Sequence, residues 1–194
     1  MKHLLVTYAW SINNIGDMGI QAGLMTLLQQ VCPEVPVKLM SFLPREDNAW
    51  TYYRDALPQY NPQCQVLPMP FFAFIAGDPL PDAASEATRN LQVAGRAWNN
   101  LVQRHSRVRL EQFRNGTLPA RQAEAICEDL LDRFPLEVFA DMQNLMPEAA
   151  EAFSQAAFVY YNSGTTLNFG RLGVRRLFGY TLPLAMSLLL ARAL

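Results

Sequence analysis

The passage that most constrains this chain runs from "HLLVTYAW" (3–10) through "SINNIGD" into "MGIQAGLMTLLQQV". A short β-rich run with little alternation suits a strand buried on both faces. A Gly/Asn/Asp turn follows. From Asp17, apolar residues recur at Ile20, Leu24, Leu27, Leu28 and Val31, the spacing of an amphipathic helix. Strand, tight turn and helix in that order open a βαβ unit, so the fold class expected is α/β, with a parallel sheet and right-handed crossovers. A secretory signal fits the same residues poorly. Only Lys2 precedes the apolar run, and polar Asn13 and Asn14 follow it with no good cleavage site.

The rhythm continues. Pro33 and Pro36 end the first helix, and "VPVKLMSF" (35–42) reads as a second strand. Residues 45–57 follow as a helix with Trp50, Tyr53 and Leu57 on one side, and "QVLPMPFF" (65–72) as a third strand weakened by its prolines. A Pro/Asp-rich turn at 78–83 then interrupts the alternation. From Ala84 to about Phe113 there is one long helical pattern, with Leu91, Ala94, Trp98, Leu101, His105 and Val108 as its inner positions. Asn115-Gly116 stops it, Pro119 starts another helix to about Phe134, and a shorter helix covers 147–157. "FVYYNSGTTLNFG" gives a strand and a Gly/Thr/Asn loop, and helical sequence runs from about Val174 to the end. The expected organisation is a single Rossmann-like lobe over 1–194 with a helical insert at about 84–146.

At 194 residues and 51% hydrophobic, the chain can bury one sizeable core. A net charge of −1 gives no global field for nucleic acid or an acidic membrane. Cys32, Cys64 and Cys127 are odd in number and widely spaced, which fits reduced thiols in a cytoplasmic protein, with no disulfide framework and no metal site. The apolar tail from Leu182 to Leu190 falls far short of the ~20 residues of a membrane span. Charge is segregated in the middle. Seven arginines face one acid between Arg89 and Arg121, and eight acids face one base between Gln122 and Gln155. Two neighbouring helices with attracting outer faces explain this, and an arginine-lined face for an anionic ligand is the rival explanation.

Chemistry in a parallel α/β sheet sits outside the carboxyl ends of the strands. Two loops of unusual composition leave such ends, "SINNIGDMG" and "SGTTLNFG". Gly16 suits a tight turn and Asp17 an N-cap. An ionised Asp17 would repel a phosphate, so it fits a cap or an acceptor for sugar hydroxyls better than an anion cradle. Asn13 and Asn14 offer amide donors; Gly164 allows close backbone approach, and Thr165, Thr166 and Asn168 add short polar groups. Neither loop is a Walker loop or a G-x-G-x-x-G dinucleotide site, and ordinary turn chemistry explains both as well. His3 opens the first strand, away from the ligand end, and His105 lies on the inner stripe of the long helix, where a packed role is the simpler one. Trp98 reads as a packing anchor, and Met18, Met25, Met40 and Met186 as core filler.

The first loop, at Asn14, Gly16, Asp17, Ile20 and Leu24, resembles the N-terminal signature of the polysaccharide pyruvyl transferase family. The stretch "AFVYYNSGTTLNFG" resembles the family's Ser-Gly-Gly-type loop at Ser163, Gly164 and Thr165. Phe158 stands where an Asp is usual, and Thr165-Thr166 where the family has glycines. The resemblance covers both ends of the chain and not 78–146. It implies one lobe of a B-type glycosyltransferase-like fold, with phosphoenolpyruvate as donor and a sugar or lipid-linked sugar of a cell-surface polysaccharide as acceptor, and no cofactor. Asn14, Gly16 and Asp17 would form one wall of the cleft, and Ser163, Gly164, Thr165 and Asn168 the other. Because the sequence ends on "SLLLARAL" where the family continues into a further strand, the expectation is an N-terminal lobe lacking its C-terminal partner lobe and inactive without it. The other readings are a non-catalytic sugar, nucleotide or protein-binding module and a nucleotide-sugar glycosyltransferase lobe.

Overall fold

The computed structural model describes residues 2–9, 15–41, 48–68, 86–161, 188–192 and 194. Four strands, β1 (His3–Ala9), β2 (Val37–Ser41), β3 (Cys64–Pro68) and β4 (Ala156–Tyr161), form one sheet in the order β3-β2-β1-β4. Every pairing is parallel. Helices α1 (Ile15–Val31) and α2 (Asn48–Tyr60) make the first two crossovers. The return from β3 to β4 passes through α3 (Glu86–His105), α4 (Arg107–Arg114), α5 (Ala120–Glu128), a π-helical segment Asp129–Arg133, α6 (Phe134–Leu145) and α7 (Pro147–Ser154). This is a parallel α/β sheet with helices on both faces, a Rossmann-like arrangement.

Strand alternation divides the core in two. Val6, Val37, Leu39, Cys64 and Val66 point to one face and pack with Met25 of α1 and Trp50, Tyr53 and Leu57 of α2. Leu5, Met40 and Leu67 point to the other and pack into the α3–α7 layer through Ala97, Leu101, Phe134, Val138, Met142 and Phe153. Leu190, in the helical turn at 188–192, joins this second core. Burial on both faces is why the strands read as continuous apolar runs.

Four expectations change. In α1, Gln21 and Met25 are the fully buried positions, while Ile20, Leu27 and Val31 are exposed, so the apolar stripe read from the sequence is only partly turned inward. The single long helix over 84–113 is two helices. Ser106 takes φ 60° and ψ 150°, which ends α3, and its hydroxyl accepts from the Arg109 amide to cap α4. Among the described side chains of α3 the buried positions are Ala97 and Leu101, with Trp98 more than a third exposed and, in α4, Val108 largely in solvent; Leu91 and Ala94 lie outside the described side chains. The helix starting at Pro119 does not end near Phe134: Pro135 sits in the first turn of a further helix, α6, that the sequence reading left unassigned. Proline lacks an N–H and its ring crowds the carbonyl four residues back, so the wider π turn before it carries the chain from α5 into α6. The 78–83 turn, residues 69–72 of the third strand and the helix expected from 174 to 187 lie outside the described residues.

Candidate functional site

β1 has β2 on one side and β4 on the other. The crossovers reverse direction at this point, and Thr7 of β1 pairs with Tyr161 of β4. The carboxyl ends of two parallel neighbours therefore share one rim at a topological switch point, where α/β sheets hold their ligands. Of the residues singled out in the sequence, Gly16 and Asp17 fall in the first turn of α1, which begins at Ile15. Asp17 is thus the third residue of the helix. Asn14, Ser163, Gly164, Thr165 and Asn168 lie outside the described residues.

A second constellation sits in the helical layer. The Asp129 side chain, 7% exposed, accepts at Oδ2 from Arg104 Nε at 2.5 Å and from His105 Nε2 at 2.7 Å. Arg104 also reaches Glu137 on α6 at 2.6 Å. Burial pushes the Asp129 carboxyl up, but Arg104 and His105 together outweigh it and hold the group below the ordinary carboxylate range. Asp141 behaves in the opposite way. It is buried, its Oδ1 has Arg96 Nη1 at 3.4 Å, and burial raises its pKa against that pairing. Asp129 Oδ1 and Asp141 Oδ2 are buried without a hydrogen-bond partner.

An open cleft of about 440 Å³ lies over Arg104, His105, Glu128, Asp129, Asp132 and Arg133. His105 is oriented by Asp129, yet among the described residues no hydroxyl or thiol lines the cleft to serve as a nucleophile for the imidazole to activate. The arrangement is an interhelical ion-pair network joining α3, the π segment and α6. It accounts for part of the segregated charge: Arg96 and Arg104, two of the seven arginines, turn to Asp129, Glu137 and Asp141. The signal for this network was in the sequence as seven arginines followed by eight acids. Which acids are the partners was not, because pairing Arg104 with Asp129 and Glu137 depends on how α3 packs against the π segment and α6.

The remaining chemistry-bearing side chains read simply. His3 is buried at the amino end of β1, and its Nε2 donates to the Ala152 carbonyl at 2.8 Å, tying β1 to α7. All three cysteines are free, and burial pushes the Cys64 thiol up to about 12. Among the described residues no group of three metal-ligating side chains converges, and no helix is long and apolar enough to cross a membrane. Compared with known proteins, the chain matches no family model, no curated protein and no solved structure.

Proposed function

We propose that this chain is a sugar-binding, Rossmann-like lobe of a polysaccharide pyruvyl transferase-like enzyme, resembling one lobe of a B-type glycosyltransferase. The observation that carries the reading is the parallel pairing of β1 with β4 at the switch point. Both polar loops singled out in the sequence follow the carboxyl ends of those two strands. On this reading Asn14, Gly16 and Asp17 serve one side of the crevice, and Ser163, Gly164, Thr165 and Asn168 the other. Short amide, hydroxyl and carboxylate groups suit sugar hydroxyls, which both donate and accept.

In the transfer itself, two sugar hydroxyls add to C2 of phosphoenolpyruvate, the C2–O bond to phosphate breaks, and inorganic phosphate leaves. One hydroxyl proton ends on the enol methylene, which becomes methyl, and the other leaves with the phosphate. A general acid must serve the methylene, and cationic donors must serve the phosphate and carboxylate. Neither histidine is placed for this. His3 lies six residues before Ala9, about 20 Å along the strand from the rim. His105 is held by Asp129 in the helical layer. The acid and the donor cations belong, by the resemblance, to a second lobe.

Binding therefore tests the reading more directly than turnover. Titrating acidic-polysaccharide oligosaccharides into isotope-labelled protein should shift the Gly16 and Asp17 amides. Asp17→Asn should weaken that binding roughly tenfold, the ~1.4 kcal/mol of one charge-assisted hydrogen bond. Saturable binding that maps to Arg96 and its neighbours and ignores Asp17→Asn would replace this reading with an interaction module. A nucleotide-sugar that shifts the switch-point amides where phosphoenolpyruvate does not would favour a glycosyltransferase lobe.

A further inference from the structure

Helix α1 is unusual for a surface helix. From Met18 to Val31 it carries no Asp, Glu, Lys or Arg. Its sheet-facing side centres on Gln21 and Met25, with Leu28 beside them. Roughly 100° away, at the ~100° per residue of an α-helix, lie Ile20, Leu24, Leu27 and Val31. In a right-handed β1–α1–β2 crossover this flank turns towards β4, and the opposite flank, with Met18, Ala22 and Gln29, turns towards α2.

Among the described residues, β4 meets that flank with an open face of its own. Phe158 pairs with Leu4 and Tyr160 with Val6, so both rings point to the α1/α2 side of the sheet. Neither α1 nor α2 reaches over them. Ile20, Leu27, Val31, Phe158 and Tyr160 are each between 42% and 73% exposed. Together they leave on the order of 500 Å² of apolar surface, at the upper end of what a monomer keeps contiguous. Ala156–Tyr161 likewise contains no charged residue. A helix apolar on two sides is normally buried on two sides.

We infer that a second copy of this chain covers this face, α1 of each protomer lying in the trough over β4 of the other. The surface is self-complementary: it offers a ridge, the outer flank of α1, and a trough, the bare face of β4 beside it. A two-fold axis running between two α1 helices satisfies both at once, which is the requirement of an isologous dimer. The two helices then form a layer shared between the two sheets, each about one sheet-to-helix spacing from both. Absence of ionised groups on either element matches the depletion of charge at interface cores. Gly19 and Gly23 add a second argument. Glycine is among the costliest residues in a helix interior, yet a Cβ at either position would meet nothing within 4 Å in one copy. Packing among the described residues of the protomer does not require them, whereas close approach of a partner helix would. With the polar rim around it, the patch approaches the ~800 Å² per partner of a stable dimer.

Analytical ultracentrifugation of the whole chain should give twice the 21.9 kDa protomer mass at micromolar concentration. Leu27→Glu and Phe158→Lys should each weaken association at least tenfold while far-UV circular dichroism stays unchanged. Mixing the two variants should restore the dimer, because Leu27→Glu of one copy then meets Phe158→Lys of the other. A wild-type monomer at 100 µM would overturn the inference, and would assign the cover to the chain itself or to a different protein. So would a dimer that ignores both substitutions, or two folded monomeric variants that fail to associate on mixing. The wild-type mass decides the matter even if a charged variant does not fold. None of these outcomes depends on the sugar-binding reading.

Discussion

At the scale of single residues, Asp129 and Asp141 show how placement fixes the sign of a carboxylate's contribution. Asp129 has its folded pKa lowered, so it stabilises the fold above the unfolded value of about 3.9 and loses that contribution as pH falls. Asp129→Asn should cost about 2 kcal/mol in urea unfolding at pH 7, and the difference from wild type should close below about pH 4. Asp141 has its pKa raised, so it favours the fold when protonated and opposes it as pH rises through the folded value. Asp141→Asn, which imitates the neutral acid, should therefore stabilise by about 1 kcal/mol at pH 7 and have less effect in acid. Thiols separate in the same way. Cys127 is exposed and Cys64 buried, so a native-state thiol titration should label Cys127 within minutes and Cys64 only on unfolding. The sequence showed three unpaired cysteines; their order of reactivity is a property of burial.

At the scale of elements, the break between α3 and α4 rests on one strained residue. Ser106, at φ 60° and ψ 150°, occupies a region that side chains other than glycine rarely enter. Its periodic flanks gave no sign of a stop, which is why the sequence read as one helix. Ser106→Gly should release about 1 kcal/mol of strain, since glycine is also a tolerable N-cap, and should raise the thermal midpoint by several degrees. Gly95, within α3, has open space where a Cβ would stand. Gly95→Ala should add roughly 0.5–1 kcal/mol by helix propensity, read as a shift of the urea midpoint at constant slope. In α6, Pro135 stands in the first turn, where its missing N–H costs nothing, and the π segment leads into it.

At the scale of the whole molecule, β1 and β2 have a neighbour on each side, whereas β3 and β4 are the edges of the described sheet. Amides of β1 and β2 should exchange hydrogen only through global unfolding, and those of α4, which buries Leu110 and little else, through local opening several kcal/mol cheaper. Uniform protection across α4 and β1 would show that the helical layer and the sheet open as one unit. What the sequence determined was local and periodic. The apolar runs at 3–10, 35–42 and 158–161 set strands, the intervening stripes set helices, and their alternation set a parallel sheet, because each signal depends only on neighbours within a turn or a pleat. Strand order was not local. That β4 returns beside β1 and not beside β3, that Gln21 and Met25 face inward in place of Ile20 and Leu27, and that Arg104 finds Asp129 and Glu137 all depend on contacts between distant residues. Such contacts are chosen by the packing of whole layers against one another, and that choice creates both the switch point and the uncovered face of α1.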